Sequence, residues 1–347
     1  MDCEGKKHSG PKLPFPDHAT TCFPPSSLPP TILHNHLHRH GKKQQEKELS
    51  PSSRPDDLRL PPARVNFQVH DNRHTYASSL DYPEGQYGTV FEFVKGMYAG
   101  KGVETIVDVW CEPEEGVQYR FVIDPPGVHP HEAKLYTPAV ESGILTALSH
   151  PSCVGLGEIG LDYHYTLSPP DVQQRVFTQQ LRIAVDRGIP ITVHTREAEE
   201  DTERILKEIV PKDHRVHIHC FTDTAAFGLR LLEYFLNLHI GVTGVVCYAS
   251  NLNTAELLKQ MSATNNKRIL LETDVPYMVP ANVYGALEPK QSRLPFSHLL
   301  MIPWIAEFVV GVMGDGWDTE RVLDVVREGA KRDTEYAVGQ RHIFYCS

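Results

Sequence analysis

The chain has 347 residues, with 34 Lys and Arg against 44 Asp and Glu, which gives a formal net charge of −10 at pH 7. Hydrophobic residues make up 40 % of the sequence and charged residues 22 %, which excludes a fully disordered, collagen-like or disulfide-scaffold chain. The acidic balance argues against a protein that coats nucleic acid through a broad basic face. It does not exclude a local site where a metal ion supplies the positive charge.

The sequence contains no apolar run near the roughly 18 residues that a membrane-spanning helix needs. The first residues lack the apolar segment of a secretory signal, and the seven cysteines form no CxxC pair. We therefore expect free thiols in a reducing compartment, either cytoplasm or nucleus, with no membrane association. An obligate protein partner cannot be inferred from the sequence.

Composition changes sharply near residue 65. Positions 1–65 hold 11 of the 27 prolines but only 2 of the 30 aromatic residues. A segment with so little to bury cannot offset its ordering entropy, so 1–65 is predicted to be a disordered N-terminal tail. Its alternating histidines at 31–40 are interpreted as a flexible low-complexity run, with metal capture as the alternative. The folded domain is predicted over 66–340.

From residue 66, short β-branched apolar runs alternate with amphipathic helical stretches. Eight runs are strand candidates: 66–70, 103–110, 119–124, 153–158, 190–194, 216–220, 238–243 and 268–273. Most are continuously apolar, as in parallel strands that are buried on both faces. The clearest helices are predicted at 171–187 and 202–210. This order and size predict an α/β fold, a (β/α)8 TIM barrel; a doubly wound open sheet is the alternative, but no GxGxxG follows the first strand.

Ionisable residues recur at the carboxyl ends of these strands. They are His70, Glu158, His194, His219 and Asp274. In a barrel those ends meet on one face, where active sites lie. A single histidine of this kind is usually a satisfied core residue, but five residues of metal-ligand type at strand ends favour a metal centre. Imidazoles combined with carboxylates suit Zn, Mn or Mg.

Three motifs admit a second interpretation. Glu158 lies in the glycine-rich, apolar stretch GLGEIGLDY, where a metal ion would explain a buried carboxylate; an ion pair with Arg or Lys is the alternative. Arg196 suits a bidentate phosphate contact, whereas a surface pair with Glu197 is equally plausible. His219 and His217 share a strand face, and His219 is the expected ligand because it lies nearer the carboxyl end.

Two further residues lie in loops. Asp274 follows the last strand candidate and could bind metal, accept a proton from water, or both. His129 belongs to GVHPH, in the loop after the third candidate, where it could contact substrate; a simple turn with exposed histidines is the alternative.

Five motifs occur in one order along the chain: GVHPH at 127–131, GLGEIGLDY at 155–163, ITVHTRE at 191–197, HCFT at 219–222 and LETDVPY at 271–277. Together they resemble the TatD-type metal-dependent deoxyribonucleases, and the wording of GVHPH and HCFT is nearest to the TatD domain-containing 2 branch. The resemblance covers 66 to about 335. It implies a (β/α)8 barrel of the metallo-dependent hydrolase type, one or two divalent cations, and hydrolysis of phosphodiester bonds in DNA and, in some members, RNA.

Carried over by position, the resemblance makes metal ligands of Glu158, His194, His219 and Asp274, with Glu158 bridging two ions where two bind. It also makes Asp274 the residue that orients or deprotonates the attacking water. The family's first strand commonly ends in Asp-x-His-x-His, whereas this chain has QVHDNRH at 68–74. The first-strand ligand is assigned to His70, and whether Asn72 or His74 takes part is left open.

The resulting prediction is a metal-dependent nuclease. Its catalytic residues would be Asp274 and Glu158, and its substrate contacts would be His129 and Arg196. One rival is a carbon–nitrogen or lactone hydrolase on the same barrel, although such enzymes often carry a carboxylated lysine where this chain has Glu158. The other rival is a binding module whose altered first-strand motif no longer holds metal.

Overall fold

The computed structural model describes residues 127–150, 153–274, 277–287, 294 and 297–334, together with the backbone of 65–70 and 103–109. All of them belong to one unit, Arg59–Ser347. The predicted tail, apart from its last position, and the predicted strand at 119–124 lie outside these residues.

Seven described strands run parallel within two sheets. The strands are β1 (Val65–His70), β2 (Val103–Val109), β3 (Leu156–Asp162), β4 (Ile191–Arg196), β5 (Arg215–Ile218), β6 (Asn237–Val242) and β7 (Ile269–Leu271). β1 pairs with β2, and the other five lie side by side in chain order from β3 to β7. Parallel neighbours in chain order are typical of a βα barrel.

Within the described residues, seven helices connect or follow the strands. They are α1 (Pro138–Ala147), α2 (Pro170–Arg187), α3 (Glu199–Ile209), α4 (Ala225–Tyr234), α5 (Asn253–Ala263), α6 (Ile302–Met313) and α7 (Thr319–Thr334). From β3 to β7, one α-helix connects each strand to the next. The helix α7 packs against both β7 and β1. The last helix thus joins the final strand to the first, as barrel closure requires. Among the helices of the described ranges, none is long and apolar enough to cross a membrane.

The helix predicted at 171–187 is confirmed as α2. Pro170 occupies its first turn, where the missing N–H costs no hydrogen bond. Gly188 ends the helix in a left-handed conformation at φ 64°. Phe177 and Leu181 on its apolar face are fully buried in the core.

The helix predicted at 202–210 begins three residues earlier, at Glu199. The prediction followed the apolar stripe, which starts only with the second turn. The first turn is acidic instead, with Glu199, Glu200 and Asp201. Negative charge at a helix N-terminus interacts favourably with the helix dipole, so these residues extend the helix without contributing to its apolar face.

Strand β3 differs most from the prediction, since the expected segment 153–158 is observed at Leu156–Asp162. The predicted segment stops two residues before Gly160. In the structure Gly160 lies against β4 so closely that a Cβ atom there would clash with the carbonyl oxygen of His194. Glycine thus permits the close strand contact rather than ending the strand. As a result, Glu158 lies inside β3 and Asp162 occupies its carboxyl end.

Strands β5 and β7 end earlier than the predicted segments 216–220 and 268–273. After each strand the chain leaves the sheet through a residue with positive φ, Cys220 at 42° and Asp274 at 51°. His219 and Asp274 therefore lie in loops directly beyond the strands, on the face where the carboxyl ends meet.

Candidate metal centre

Glu158 lies at the middle of a cluster of imidazoles. Its side chain is 3 % exposed, and Oε1 lies 2.6 Å from Nδ1 of His194. The same oxygen lies 3.9 Å from Nε2 of His219 and 3.9 Å from Nε2 of His129. Burial opposes ionisation, but the charges of His219 and His194 lower the pKa of Glu158 well below its usual value. The carboxylate is therefore ionised and faces three nitrogens from three separate segments.

His194 lies between two carboxylates. Its Nδ1 contacts Glu158, and its Nε2 lies 3.1 Å from Oδ2 of Asp162. Burial lowers the pKa of His194, but hydrogen bonds to Asp162 and Glu158 outweigh it and raise the pKa to about 9. A histidine whose Nε2–H is held by a carboxylate presents Nδ1 as a ligand once the second proton is lost, which is the usual outer arrangement of metal-binding histidines.

Asp162 is buried and uses both carboxylate oxygens. Its Oδ2 faces His194 and also lies 3.0 Å from Nε2 of His131. Its Oδ1 accepts the backbone N–H groups of His164 at 2.9 Å and Tyr165 at 3.0 Å. Burial opposes ionisation, but these hydrogen bonds, led by that of His131, hold the pKa of Asp162 well below its usual range. This carboxylate fixes two imidazoles and the start of the loop after β3.

A second buried carboxylate, Glu272, holds the imidazole of His219 in place. Nδ1 of His219 lies 2.8 Å from Oε2 of Glu272, and Oε1 accepts the backbone N–H of Cys220 at 2.6 Å. Because Nδ1 is occupied, Nε2 of His219 faces Glu158. Burial lowers the pKa of His219, but the charges of Glu158 and Glu272 raise it well above its usual value.

His217 completes a second cluster with His219 and Glu272, whose ligand atoms lie within 4.8 Å of one another. Its Nε2 lies 3.3 Å from Oε2 of Glu272 but is not aligned for a hydrogen bond. Both oxygens of Glu272 already accept hydrogen bonds from His219 and Cys220. We therefore interpret this cluster as support for His219 rather than as a separate ion site.

Asp274 lies beside His219 at the open side of the cluster. Its Oδ1 is 3.5 Å from Nε2 of His219, and its side chain is 15 % exposed. Asp274 is thus more accessible than Glu158 or Glu272, which are 3 % and 1 % exposed. In this position the carboxylate contacts both His219 and solvent.

His129 caps the 3-10 helix Pro130–Leu135. Its Nδ1 accepts the backbone N–H of His131 at 3.2 Å, so the neutral ring carries its proton on Nε2. That N–H points towards Glu158, 3.9 Å away. A donor in this place suits an anionic oxygen of a substrate better than a metal ion. His129 and His131 are 14 % and 23 % exposed, so neither is a fully exposed histidine of a turn.

Arg196 does not join the cluster around Glu158. Its guanidinium carbon lies 4.9 Å from the centre of the Tyr165 ring. The surface pair with Glu197 is not found among the described contacts, where Glu197 instead lies 2.7 Å from Nδ1 of His164. His70 is the last residue of β1, but its side chain, like Asn72 and His74, lies outside the described residues.

Sequence reasoning missed Asp162, His131 and Glu272. A signal for two of them was present, because alternate residues of a strand share a face. Asp162 lies four positions after Glu158, and Glu272 lies two before Asp274. Nothing in the sequence showed which histidine each carboxylate would hold.

The donor chemistry fits a divalent cation. Ligand atoms of Glu158 and His194 lie within 4.8 Å of each other. Further donors, His219 and Asp274, follow at the distances given above. Carboxylate oxygens and imidazoles from separate strands, backed by buried carboxylates, form the ligand set and outer shell of metallohydrolase sites.

Comparisons with known proteins agree with this geometry. A family model described as TatD related DNase matches residues 104–329. The human 3'-5' RNA nuclease TATDN2 is 32 % identical over 278 residues, covering 80 % of this chain and 33 % of that protein. The 3'-5' ssDNA/RNA exonuclease TatD of Escherichia coli K12 is 35 % identical over 176 residues, covering 50 % of this chain and 64 % of that protein. The chain thus spans between a third and two thirds of these relatives.

Solved structures show the fold. A TatD family hydrolase from Entamoeba histolytica matches with a TM-score of 0.62 and 18 % identity, over 78 % of this chain and 98 % of that one. The TatD homologue YJJV from Escherichia coli K12 matches with a TM-score of 0.60 and 18 % identity, over 79 % and 99 %. The predicted (β/α)8 barrel of the metallo-dependent hydrolase type is confirmed.

Proposed function

The chain belongs to the TatD related DNase family, and from this premise we propose that it is a metal-dependent nuclease that hydrolyses phosphodiester bonds in DNA or RNA. The relatives named as nucleases of single-stranded DNA or RNA support this substrate class. The observation that carries the proposal is the convergence of His194, His219 and His129 on one buried carboxylate, Glu158.

We assign the cation to Glu158, His194, His219 and Asp274, with His70 as a further ligand from β1. Oxygen and imidazole donors suit Mg, Mn or Zn, and the number of carboxylates allows one or two ions. When bound, a divalent cation would compensate the negative charge of the phosphate and lower the pKa of a water molecule. Asp162 and Glu272 would keep the imidazoles in their ligand orientation by holding their outer nitrogens.

Around that centre the chain provides groups for proton transfer and for substrate binding. Asp274, which is partly exposed, would accept a proton from a water molecule that attacks phosphorus. His129 presents an Nε2–H donor towards the same space and would bind a non-bridging oxygen. Arg196, further out, would bind a neighbouring phosphate of the strand.

The test is cleavage of an end-labelled single-stranded oligonucleotide with added divalent metal and with chelator. We expect cleavage that the chelator abolishes and that Glu158→Ala reduces by at least about a hundredfold, as loss of a central group in a preorganised site does. The exposed helix residue Glu208, varied as Glu208→Ala, is the matched control. Turnover of lactones or amides without nucleic acid cleavage, or folded protein that binds no metal, would refute the proposal.

A further inference from the structure

The segment that carries His129 is fixed from two sides. On one side, Gly127 lies against β3 so closely that a Cβ atom there would lie 2.7 Å from the carbonyl oxygen of Gly157. On the other side, Val128 is 1 % exposed and forms hydrogen bonds with a side chain of α2 through both its N–H and its carbonyl oxygen. Glu158 follows Gly157 directly, so this segment lies beside the carboxylate at the middle of the cluster.

The side chain from α2 is that of Gln180, which is fully buried. Its Oε1 accepts the N–H of Val128 at 2.7 Å, and its Nε2 donates to the carbonyl oxygen of Val128 at 3.1 Å. A primary amide has the same donor and acceptor as a peptide group, so Gln180 pairs with Val128 as a neighbouring strand would. Because Val128 directly precedes His129, Gln180 fixes the backbone from which the His129 imidazole projects.

The direction of the His129 ring depends on where that backbone lies. Its Nδ1 accepts the N–H of His131 at 3.2 Å, at the long end of the range for a hydrogen bond. The ring of His131 is held separately, by Oδ2 of Asp162 at 3.0 Å. A small displacement of Val128 would break the first contact and leave the second intact. The Nε2–H of His129 would then lose its fixed direction towards Glu158.

We propose that Gln180 is a positioning residue for the reaction and that it acts on the substrate through His129. The inference rests on the proposed nuclease function, in which His129 binds a non-bridging oxygen of the phosphate. Gln180 is buried between α2 and the segment at 127–131, so it acts without touching substrate. A donor that is already in place needs no reorganisation when charge develops on the phosphate, so its placement affects the rate.

A second glutamine of α2 provides a matched control. The Nε2 of Gln174 donates to Oη of Tyr163 at 2.7 Å and to Oδ2 of Asp201 at 2.9 Å. Gln174→Met therefore also removes side-chain hydrogen bonds from this helix. None of the hydrogen bonds described for Gln174 joins it to residues 127–131.

The experiment is a double-mutant cycle on cleavage of an end-labelled oligonucleotide with added divalent metal. The value of kcat/KM is measured for wild type, Gln180→Met, His129→Ala and the double variant. We expect Gln180→Met alone to lower kcat/KM by about 10- to 100-fold, as misplacement of a catalytic group does. In the His129→Ala background the same substitution should lower it by less than about twofold, because the group that it displaces is already absent. Gln174→Met should have the same effect in both backgrounds.

An equal loss from Gln180→Met in both backgrounds would overturn the proposal. A general effect on folding lowers the rate in both backgrounds alike, so the cycle separates positioning from stability. If Gln180→Met does not fold, Gln180→Asn takes its place, since it keeps the amide but withdraws it by one methylene group. The same dependence on His129 is expected for that variant.

A spectroscopic measurement separates this inference from the nuclease proposal. Metal-free protein is labelled with 15N-histidine and studied at about pH 8, where free imidazoles are neutral. The His129 signals, assigned by their loss in His129→Ala, should show the Nε2–H tautomer in wild type and in Gln174→Met. In Gln180→Met they should move towards an average of both tautomers, because the hydrogen bond from His131 is lost.

Unchanged His129 signals in Gln180→Met would refute the positioning role. If wild type cleaves no nucleic acid while the His129 tautomer still depends on Gln180, the nuclease proposal fails and the positioning of His129 by Gln180 stands.

Discussion

Glu272 and His219 form a buried pair in which Oε2 of the carboxylate lies 2.8 Å from Nδ1 of the imidazole. This contact decides that Nε2 of His219 faces Glu158. The carboxylate in turn is fixed by the backbone N–H of Cys220 at 2.6 Å. Glu272 thus acts on the centre through His219 and is a positioning residue.

We expect Glu272→Gln to weaken metal binding by about 10- to 100-fold, the usual cost of losing an outer carboxylate. The amide keeps the shape but has one oxygen for two N–H donors, so either His219 or Cys220 loses its acceptor. Metal titration of the metal-free protein measures the effect, with Glu208→Gln on the exposed face of α3 as control. An affinity equal to that of wild type would show that His219 does not depend on Glu272.

Asp162→Asn should be more damaging than Glu272→Gln. Asp162 is buried and accepts four hydrogen bonds, two from imidazoles and two from backbone N–H groups. The amide N–H₂ of the variant cannot accept from His194 or His131. Leaving buried donors unpaired costs about 1 to 3 kcal/mol each, so we expect both a lower free energy of unfolding and weaker metal binding. Urea unfolding with chelator present separates the two effects, and equal stability of variant and wild type would contradict this account.

The pattern of the sequence predicted the barrel but not the network that fixes the ligands. Apolar, β-branched runs and helical stripes depend on burial alone, so they indicated the strands and α2 directly. The partner of Asp162 depends instead on register, because β3 pairs with β4 through an irregularity between Leu156 and Ile159. No local pattern shows such an irregularity. The side-chain hydrogen bonds between strands could therefore be identified only from the structure.

The glycines explain the largest error in the strand boundaries. Glycine usually marks a turn or a weak strand, and the predicted segment 153–158 stops short of Gly160. In the structure it allows the backbone of His194 to approach. Whether a glycine ends a strand or admits a close neighbour depends on what lies opposite, which sequence periodicity does not contain.

Gly241 on β6 makes a further test of the site. A Cβ atom at this position would clash with Oε1 of Glu272 and would lie 2.6 Å from Nε2 of His217. Both contacts involve buried side chains with little room to move. We expect Gly241→Ala to displace Glu272 and therefore to lower kcat strongly. The free energy of unfolding should fall by about 1 to 3 kcal/mol, the usual cost of overpacking a core.

Gly285→Ala is the matched control, because a Cβ atom there would meet nothing within 4 Å among the described residues. Nuclease rate and thermal unfolding are measured on both variants. A normal rate in Gly241→Ala would mean that Glu272 tolerates displacement and that its assigned role is wrong.

The burial of Asp223 predicts that the free energy of unfolding depends on pH. Its side chain is 8 % exposed; Oδ1 accepts the backbone N–H of Glu197 at 3.3 Å, and Oδ2 is buried without a hydrogen-bond partner in the described part of the chain. Burial raises the pKa of Asp223 from 3.8 to about 6. Because the folded pKa exceeds the unfolded one, the folded state binds the proton more tightly. The contribution of this group to stability is therefore complete below pH 4 and is lost as the pH rises through 6.

Asp223→Asn removes this titration. The difference in free energy of unfolding, variant minus wild type, should therefore increase between about pH 4 and pH 6 and stay level above, with a total rise of up to about 3 kcal/mol. Urea unfolding of both proteins at a series of pH values, with chelator present so that metal binding does not contribute, measures the difference. A difference that is constant or that falls with pH would show that Asp223 does not titrate as its burial implies. If the difference does rise with pH, the size of the rise measures how strongly burial disfavours the ionised form of Asp223.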